Sequence, residues 1–282
     1  MGEVVAVANQ KGGVGKTTTV VSVASFLALD GRRVLLVDMD PQGNASSGLG
    51  LDKDSLDRSV YDVLLGSAAV SDVAVGTSIK GLSVVPSNRS LAGSEVELVP
   101  KPARERTLRR SLDSAAATYD FIILDCPPSL GLLTVNALTA ADSVLIPLQC
   151  EYYALEGLSQ LMATIELIRE HLNPSLSLKG IVLTMHDGRT SLSADVANEV
   201  RGHFGDQVFE SIVPRSVRLA EAPSYGLPIA LYNAGSRGAQ AYRSISAELL
   251  RRSGLEPGGS LSDAVPIEPA TRAEREQEAS EA

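Results

Sequence analysis

Tryptophan is absent, and all aromatics together make up 4% of the chain. That scarcity argues against a stacking platform for single-stranded nucleic acid. There are two cysteines, Cys126 and Cys150, both in apolar surroundings and without C-x-x-C spacing. They read as structural filler rather than as a disulfide or metal pair, and they suit a reducing cytoplasm. The three histidines, His171, His186 and His203, are unclustered and point to no metal site. No run approaches the length of about 18 apolar residues that a membrane span requires. The N-terminus shows no basic leader or cleavage signal. Met1-Gly2 invites a myristoylation reading, but Ala6 stands where Ser or Thr is needed.

What is present is an ordinary globular composition, 44% hydrophobic and 21% charged over 282 residues. The net charge of −9 is unevenly spread, because residues 253–282 hold seven acids and two bases and so supply −5 of it. Bulk acidity therefore does not exclude a local basic patch on the remainder. The end of the chain is rich in Pro, Gly and acid and poor in large apolar residues, which predicts a disordered tail over 254–282. Residues 1–253 are expected to form one domain.

Short, β-branched, nearly continuous apolar runs recur at VVAVA (4–8), VLLVD (34–38), LSVVP (82–86), FIILD (121–125), SVLIPL (143–148) and GIVLTM (180–185). Such runs read as strands buried on both faces, as in a parallel sheet. Helical patterns lie between and after them, over 15–29, 104–117, 155–172, 193–204 and 238–253. The alternation predicts an α/β, doubly wound, mostly parallel sheet with helices on both faces. Ligand loops then fall at the carboxyl ends of the strands.

The first strand runs into NQKGGVGKTT (9–18), a phosphate loop with two departures from G-x-x-x-x-G-K-[ST]: Gln10 replaces the leading glycine, and Lys11 adds a second cation. Gly12, Gly13 and Gly15, with Val14 between them, let backbone N–H groups turn toward a polyphosphate. The helix that follows adds its positive end. Lys16 is placed to reach the β- and γ-phosphates, Thr17 to ligate Mg²⁺, and Thr18 to support the α-phosphate. Two further strands end in acids: Asp125 after FIIL, and Asp38 with Asp40 after VLLV, the latter two spaced to share a face. The candidate metal set is Thr17, Asp40 and Asp125.

KGGVGKTT, VDMDPQGN (37–44) and LDCPPS (124–129) together resemble the deviant-Walker-A P-loop ATPases. EYYALEG (151–157), MHDGRT (185–190) and PRSVRLAEAPSYGLPI (214–229) are similar to the ParA/Soj chromosome-partitioning branch, in order and over about residues 3–250. The resemblance implies that Lys11 reaches the partner subunit's phosphates in an ATP-dependent homodimer and that Asp40 positions the attacking water, with Asp38 supporting it. Asp125 is the implied Walker B acid, 40–47 and 125–131 are two switch segments, and the adenine sits near Pro214. It further implies non-specific binding of double-stranded DNA through Arg189 and Arg218, with Arg201, Arg215, Arg243, Arg251 and Arg252 as candidate extensions. The remaining implications are a ParB/Spo0J-type partner, cofactors ATP and Mg²⁺, and a cytoplasmic, nucleoid-associated location. EYY (151–153) carries the resemblance without a derivable chemical role. A monomer should show Lys11 idle.

Two alternatives stay open at this point. One is an ATP switch regulating replication initiation or transcription. The other is a MinD-like membrane ATPase, although the basic amphipathic C-terminal helix of that branch is replaced here by an acidic segment interrupted by Pro257, Pro266 and Pro269. Iron–sulfur carriers, which need paired cysteines at a dimer seam, match neither Cys126 nor Cys150.

Overall fold

The computed structural model describes residues 2–264. Seven strands form one sheet: β1 (Glu3–Val7), β2 (Val34–Asp38), β3 (Val75–Gly76), β4 (Leu82–Val85), β5 (Phe121–Asp125), β6 (Ser143–Gln149) and β7 (Ser177–Thr184). Their spatial order is β3-β4-β2-β5-β1-β6-β7, and every pairing is parallel except that of the two-residue edge strand β3. The six strands expected from sequence are all present, with ends shifted by at most a few residues. β3 escapes sequence reading because two exposed residues carry no periodicity.

Alternation along each strand divides the core in two. Ala6, Val37 and Leu124 belong to one apolar cluster, while Val5, Leu36 and Ile123 belong to the other. Twelve helices cover the two faces among the described residues: α1 (Lys16–Leu29), α2 (Asn44–Gly48), α3 (Val60–Leu65), α4 (Val70–Val73), α5 (Leu91–Leu98), α6 (Thr107–Leu112), α7 (Leu132–Ala140), α8 (Ala154–His171), α9 (Ser191–Phe204), α10 (Val217–Glu221), α11 (Ile229–Tyr232) and α12 (Arg237–Arg252). Helices α1, α2 and α10–α12 pack on one face, and α3–α9 pack on the other. The helix expected over 104–117 is broken into α6 flanked by 3-10 turns. Helix α1 is buried almost all round, and its Thr19 hydroxyl meets the hydroxyl of Tyr242 on α12 at 2.9 Å.

The packed chain does not stop at residue 253. The N–H groups of Gly258 and Leu261 donate to the carboxylate of Asp30 at 3.1 and 3.3 Å, and the Arg32 guanidinium donates to the Glu256 carbonyl at 2.7 Å. Leu261 is fully buried beside α1 and α12, and Arg243 pairs with Asp263. One leucine and one buried carboxylate acceptor are enough to dock this otherwise polar segment. The rest of the expected tail, 265–282, lies outside the described residues. Leu261→Ala removes the apolar anchor and should lower stability by about 2 kcal/mol in urea unfolding. An unchanged midpoint would show that the segment contributes nothing to the fold.

Candidate functional site

Parallel register sets three strand ends side by side. Val7 of β1 lies opposite Asp125 of β5, and Asp125 lies opposite Asp38 of β2. The ladder continues one residue further, with Cys126 N–H on the Val7 carbonyl and Met39 N–H on the Asp125 carbonyl. The loop between β1 and α1 therefore emerges directly beside two acids.

Gly13 (φ 77°) and Gly15 (φ 89°) bend this loop through the left-handed region, where only glycine sits without strain. A Cβ on Gly12 or Gly13 would face open space, so the loop borders room for a ligand rather than packed protein. Three contacts hold its shape. The Asn9 side chain donates to the Pro147 carbonyl of β6 at 2.7 Å, and its oxygen accepts from Lys11 N–H. The Thr184 hydroxyl at the end of β7 donates to the Val14 carbonyl at 2.8 Å. Met185, at a positive φ of 51°, brings its methyl to 3.8 Å from where a Cβ on Gly15 would stand. Sequence reading assigned no role to Asn9, Thr184 or Met185, because each acts through a strand distant in sequence.

Lys16 is nearly buried, and its ammonium donates to the Lys11 carbonyl at 2.9 Å. Burial lowers its pKa, against the raising effect of Asp125, Cys126 and Asp40. Thr17 and Thr18 follow in the first turn of α1. Asp125 is fully buried, and the Thr17 hydroxyl is the group that stands nearest to satisfying its carboxylate. Burial raises its pKa well above the carboxylate range, and the nearby Asp38 adds to this; Thr17 and Lys16 act in the other direction.

The two acids of the β2 end do different work. Asp38 is fully buried and accepts from the Ser46 N–H (2.9 Å), the Ser46 hydroxyl (2.7 Å) and the Asp40 N–H (3.2 Å). Burial pushes it up to about 6, although the Ser46 bonds oppose the shift. Asp38 is thus a positioning residue that ties α2 to the sheet. Asp40 lies at the edge of this pocket, and its carboxylate accepts from the Gln42 N–H at 2.9 Å. Among the described residues there is no cluster of three His, Cys, Asp or Glu. The set Thr17, Asp40 and Asp125 instead fits a cation held by one or two carboxylates plus phosphate oxygens.

Lys11 is not idle. Its ammonium pairs with Glu151, which follows β6, and Tyr152 and Tyr153 stand exposed beside Glu151 with their rings edge to face at 5.1 Å. Glu151 is thus a partner for Lys11, a role that its place in the sequence could not reveal. Pro214 lies half-buried at the rim, where a bridge with His186 extends the sheet past β7.

Arg189 lies on the loop three residues past His186, and Arg218 on α10 four residues past Pro214. Arg189 is well exposed and forks onto Asp187 at 2.9 and 2.8 Å, and Arg218 donates to Glu221 at 2.9 Å. The Arg189 hydrogen bonds hold Asp187 well below the usual carboxylate range. Surface ion pairs of this kind are weak, so a phosphate can compete for the guanidinium. Three of the candidate extensions are engaged internally. Arg201 donates to the Glu210 carbonyl, and Arg243 pairs with Asp263. Arg252 pairs with Glu248, donates to several carbonyls and lies 4.2 Å over the Phe209 ring. Cys126 and Cys150 are buried free thiols, with the pKa of Cys150 pushed up to about 12 by burial. Among the described residues no helix is long and apolar enough to cross a membrane.

A family model described as an AAA domain matches residues 2–178. The sporulation initiation inhibitor protein Soj of Bacillus subtilis is 55% identical over 88% of this chain and 98% of its own length. The chromosome partitioning protein ParA of Caulobacter vibrioides is 52% identical over 88% and 94%. A solved Mycobacterium smegmatis structure, named cobyrinic acid a,c-diamide synthase with bound ADP and magnesium, is 42% identical, covering 92% of this chain and 99% of that one with a TM-score of 0.80. The septum site-determining protein MinD of Pyrococcus horikoshii, complexed with Mg-ADP, is 25% identical with a TM-score of 0.73, over 90% and 98%.

The burial of Asp125 has a measurable consequence. In the unfolded chain its carboxyl titrates in the ordinary range near 4. The folded pKa is higher, so the folded protein holds the proton longer and Asp125 adds no penalty below that ordinary range. Stability is lost as pH rises from there through the folded pKa. Asp125→Asn should therefore raise the Tm of the nucleotide-free protein by several degrees at pH 8, with the gain shrinking as pH falls toward 4. A gain independent of pH would contradict this account.

Proposed function

Because the chain belongs to the Soj/ParA family of chromosome-partitioning ATPases, we propose that it is a weak Mg²⁺-dependent ATPase whose ATP-bound homodimer holds double-stranded DNA without sequence preference. Hydrolysis releases the DNA, a ParB/Spo0J-type centromere-binding partner stimulates turnover, and the work is done in the cytoplasm on the nucleoid. The observation that carries this reading is the meeting of the glycine loop, Lys16, Thr17 and the buried Asp125 at three strand ends in register.

Lys16 leaves the Lys11 carbonyl for the β- and γ-phosphates, and the loop N–H groups bind the phosphate oxygens. Thr17 and Asp125 would hold the metal, with Asp40 close to Asp125. When bound, Mg²⁺ offsets the charge that builds on the transferred phosphoryl group. Asp40 is placed to orient the attacking water, since its carboxylate is less committed than that of Asp38. Pro214 borders the adenine. Lys11 exchanges Glu151 for the partner subunit's phosphates, and the exposed Tyr152–Tyr153 pair beside it suits a protein–protein face. Arg189 and Arg218 exchange surface carboxylates for DNA phosphates. The synthase name on the mycobacterial structure goes with 42% identity against 55% for Soj, and no observation on this chain favours that activity.

A DNA shift assay with ATP, ADP and no nucleotide tests the switch: binding is expected with ATP alone, and equal binding in all three states would overturn it. Lys11→Ala should abolish ATP-dependent dimerisation by sedimentation while leaving ATP binding intact. Asp40→Ala should trap the dimer on DNA. Arg218→Ala should weaken binding uniformly across sequences and flatten the log–log salt dependence by about one unit for each DNA phosphate no longer neutralised. Turnover stimulated by a centromere-binding protein separates partitioning from an ATP switch in replication initiation or transcription.

A further inference from the structure

The segment that carries Asp40 and the segment that carries Arg218 meet at two glycines. Gly50, two residues past the end of α2, has φ 85°; Gly226, which closes the 3-10 turn Ala222–Tyr225 directly after α10, has φ 64°. A Cβ on Gly50 would stand 3.1 Å from the Gly226 carbonyl oxygen. A Cβ on Gly226 would stand 3.0 Å from Gly50 Cα and 3.6 Å from the Ser47 carbonyl oxygen. Both obstacles are backbone, so neither can swing aside as the end of a flexible side chain would.

The two segments also share the apolar cluster on that face, through Ala45 and Leu49 on one side and Leu219 and Ala222 on the other. A cavity of about 490 Å³ opens alongside the contact, lined by Thr18 and Ser22 of α1, Asn44 and Ser47 of α2, and Pro223 and Leu227. Alongside that packing, the backbone contact sets the closest approach of α2 and the 222–225 turn. Each segment is rigidly tied at its other end. Asp38 grips the first turn of α2 through Ser46, whose hydroxyl also accepts from Ser87 N–H. The 222–225 turn continues α10 without a break, and Glu221 at that junction holds both Arg218 and the Tyr232 hydroxyl.

We propose that the Gly50–Gly226 contact is the joint through which the nucleotide-facing 40–47 segment sets the position of the Arg218 surface, so that phosphate occupancy at the loop and polyanion binding at α10 are coupled. The proposal rests on Arg218 contacting DNA phosphate. Coupling of this kind is reciprocal: the factor by which ATP strengthens DNA binding equals the factor by which DNA strengthens ATP binding.

The test uses the full chain with three substitutions. Gly226→Ala puts a Cβ on Gly50. Gly226→Asn does the same with a residue that tolerates left-handed φ, which keeps the test open if the alanine variant fails to fold. Gly66→Ala is the control, because Gly66 has φ 79° but nothing within 4 Å of its Cβ position, and so reports strain without contact. DNA affinity with and without ATP, ATP-analogue affinity with and without DNA, and the dimerisation constant are measured for each. Both Gly226 variants should lose about fivefold or more of the ATP-dependent gain in DNA affinity, and the same factor in the reciprocal direction. ATP affinity without DNA and dimerisation should stay at wild-type values, and Gly66→Ala should match wild type throughout. A full gain retained in Gly226→Asn, or an equal loss in Gly66→Ala, would overturn the joint. If Arg218→Ala leaves DNA affinity unchanged in every state, the DNA reading of that arginine fails instead, independently of the joint.

Discussion

Everything around the phosphate loop depends on the parallel register of β2, β5 and β1, which brings Asp38, Asp125 and Val7 to one level at the carboxyl edge of the sheet. The loop leaves β1 at that level, and Lys16 enters α1 with two buried carboxylates on the flanking strands. A shift of one residue in either pairing would turn the acids into the opposite face of the sheet. The two apolar clusters, one on each face, prevent that shift because every strand residue from 4 to 7, 34 to 37 and 121 to 124 is buried. The core thus sets the chemistry through alternation alone.

The electrostatic arrangement at that edge is poised rather than satisfied. Lys16 rests on a carbonyl of its own loop, and Asp125 is fully buried with only the Thr17 hydroxyl opposing the cost of its charge besides Lys16. Lone buried charges are costly unless something pairs with them. On the proposed function, a nucleotide with its metal would supply phosphate oxygens for the lysine and a cation for the aspartate. Asp38, by contrast, has its demands met by Ser46 and Asp40, which is why it anchors a helix while Asp40 stays available.

Surface charge proved a poor guide where the fold uses it internally. Arg201, Arg243 and Arg252 look like members of a basic surface when read along the chain, yet each closes a contact between distant segments. Arg189 is held by a carboxylate on its own loop, and Arg218 by one on its own helix with the Tyr232 hydroxyl beside it, and exposed pairs of this kind can change partners. The polar stretch after 253 shows the same effect in reverse, since burial of Leu261 and the Asp30 carboxylate draws it onto the domain.

Much of this was legible from local pattern. Continuous β-branched runs marked six buried strands, and KGGVGKTT followed by acids at 38, 40 and 125 marked the site, because strand burial and phosphate cradling each demand particular residue types at adjacent positions. The broken helix over 104–117, the edge strand β3, the hold of Asn9 and Thr184 on the loop, and the partner of Lys11 were not legible. Each depends on which segments the fold sets side by side: Pro147 is 138 residues from Asn9, and Val14 is 170 from Thr184. Sequence alone therefore determined the elements and the chemical groups offered at their ends. Only the tertiary structure decided which of those groups pair with one another and which are left for a ligand, because pairing is a property of distance in space, and the strand order sets that distance.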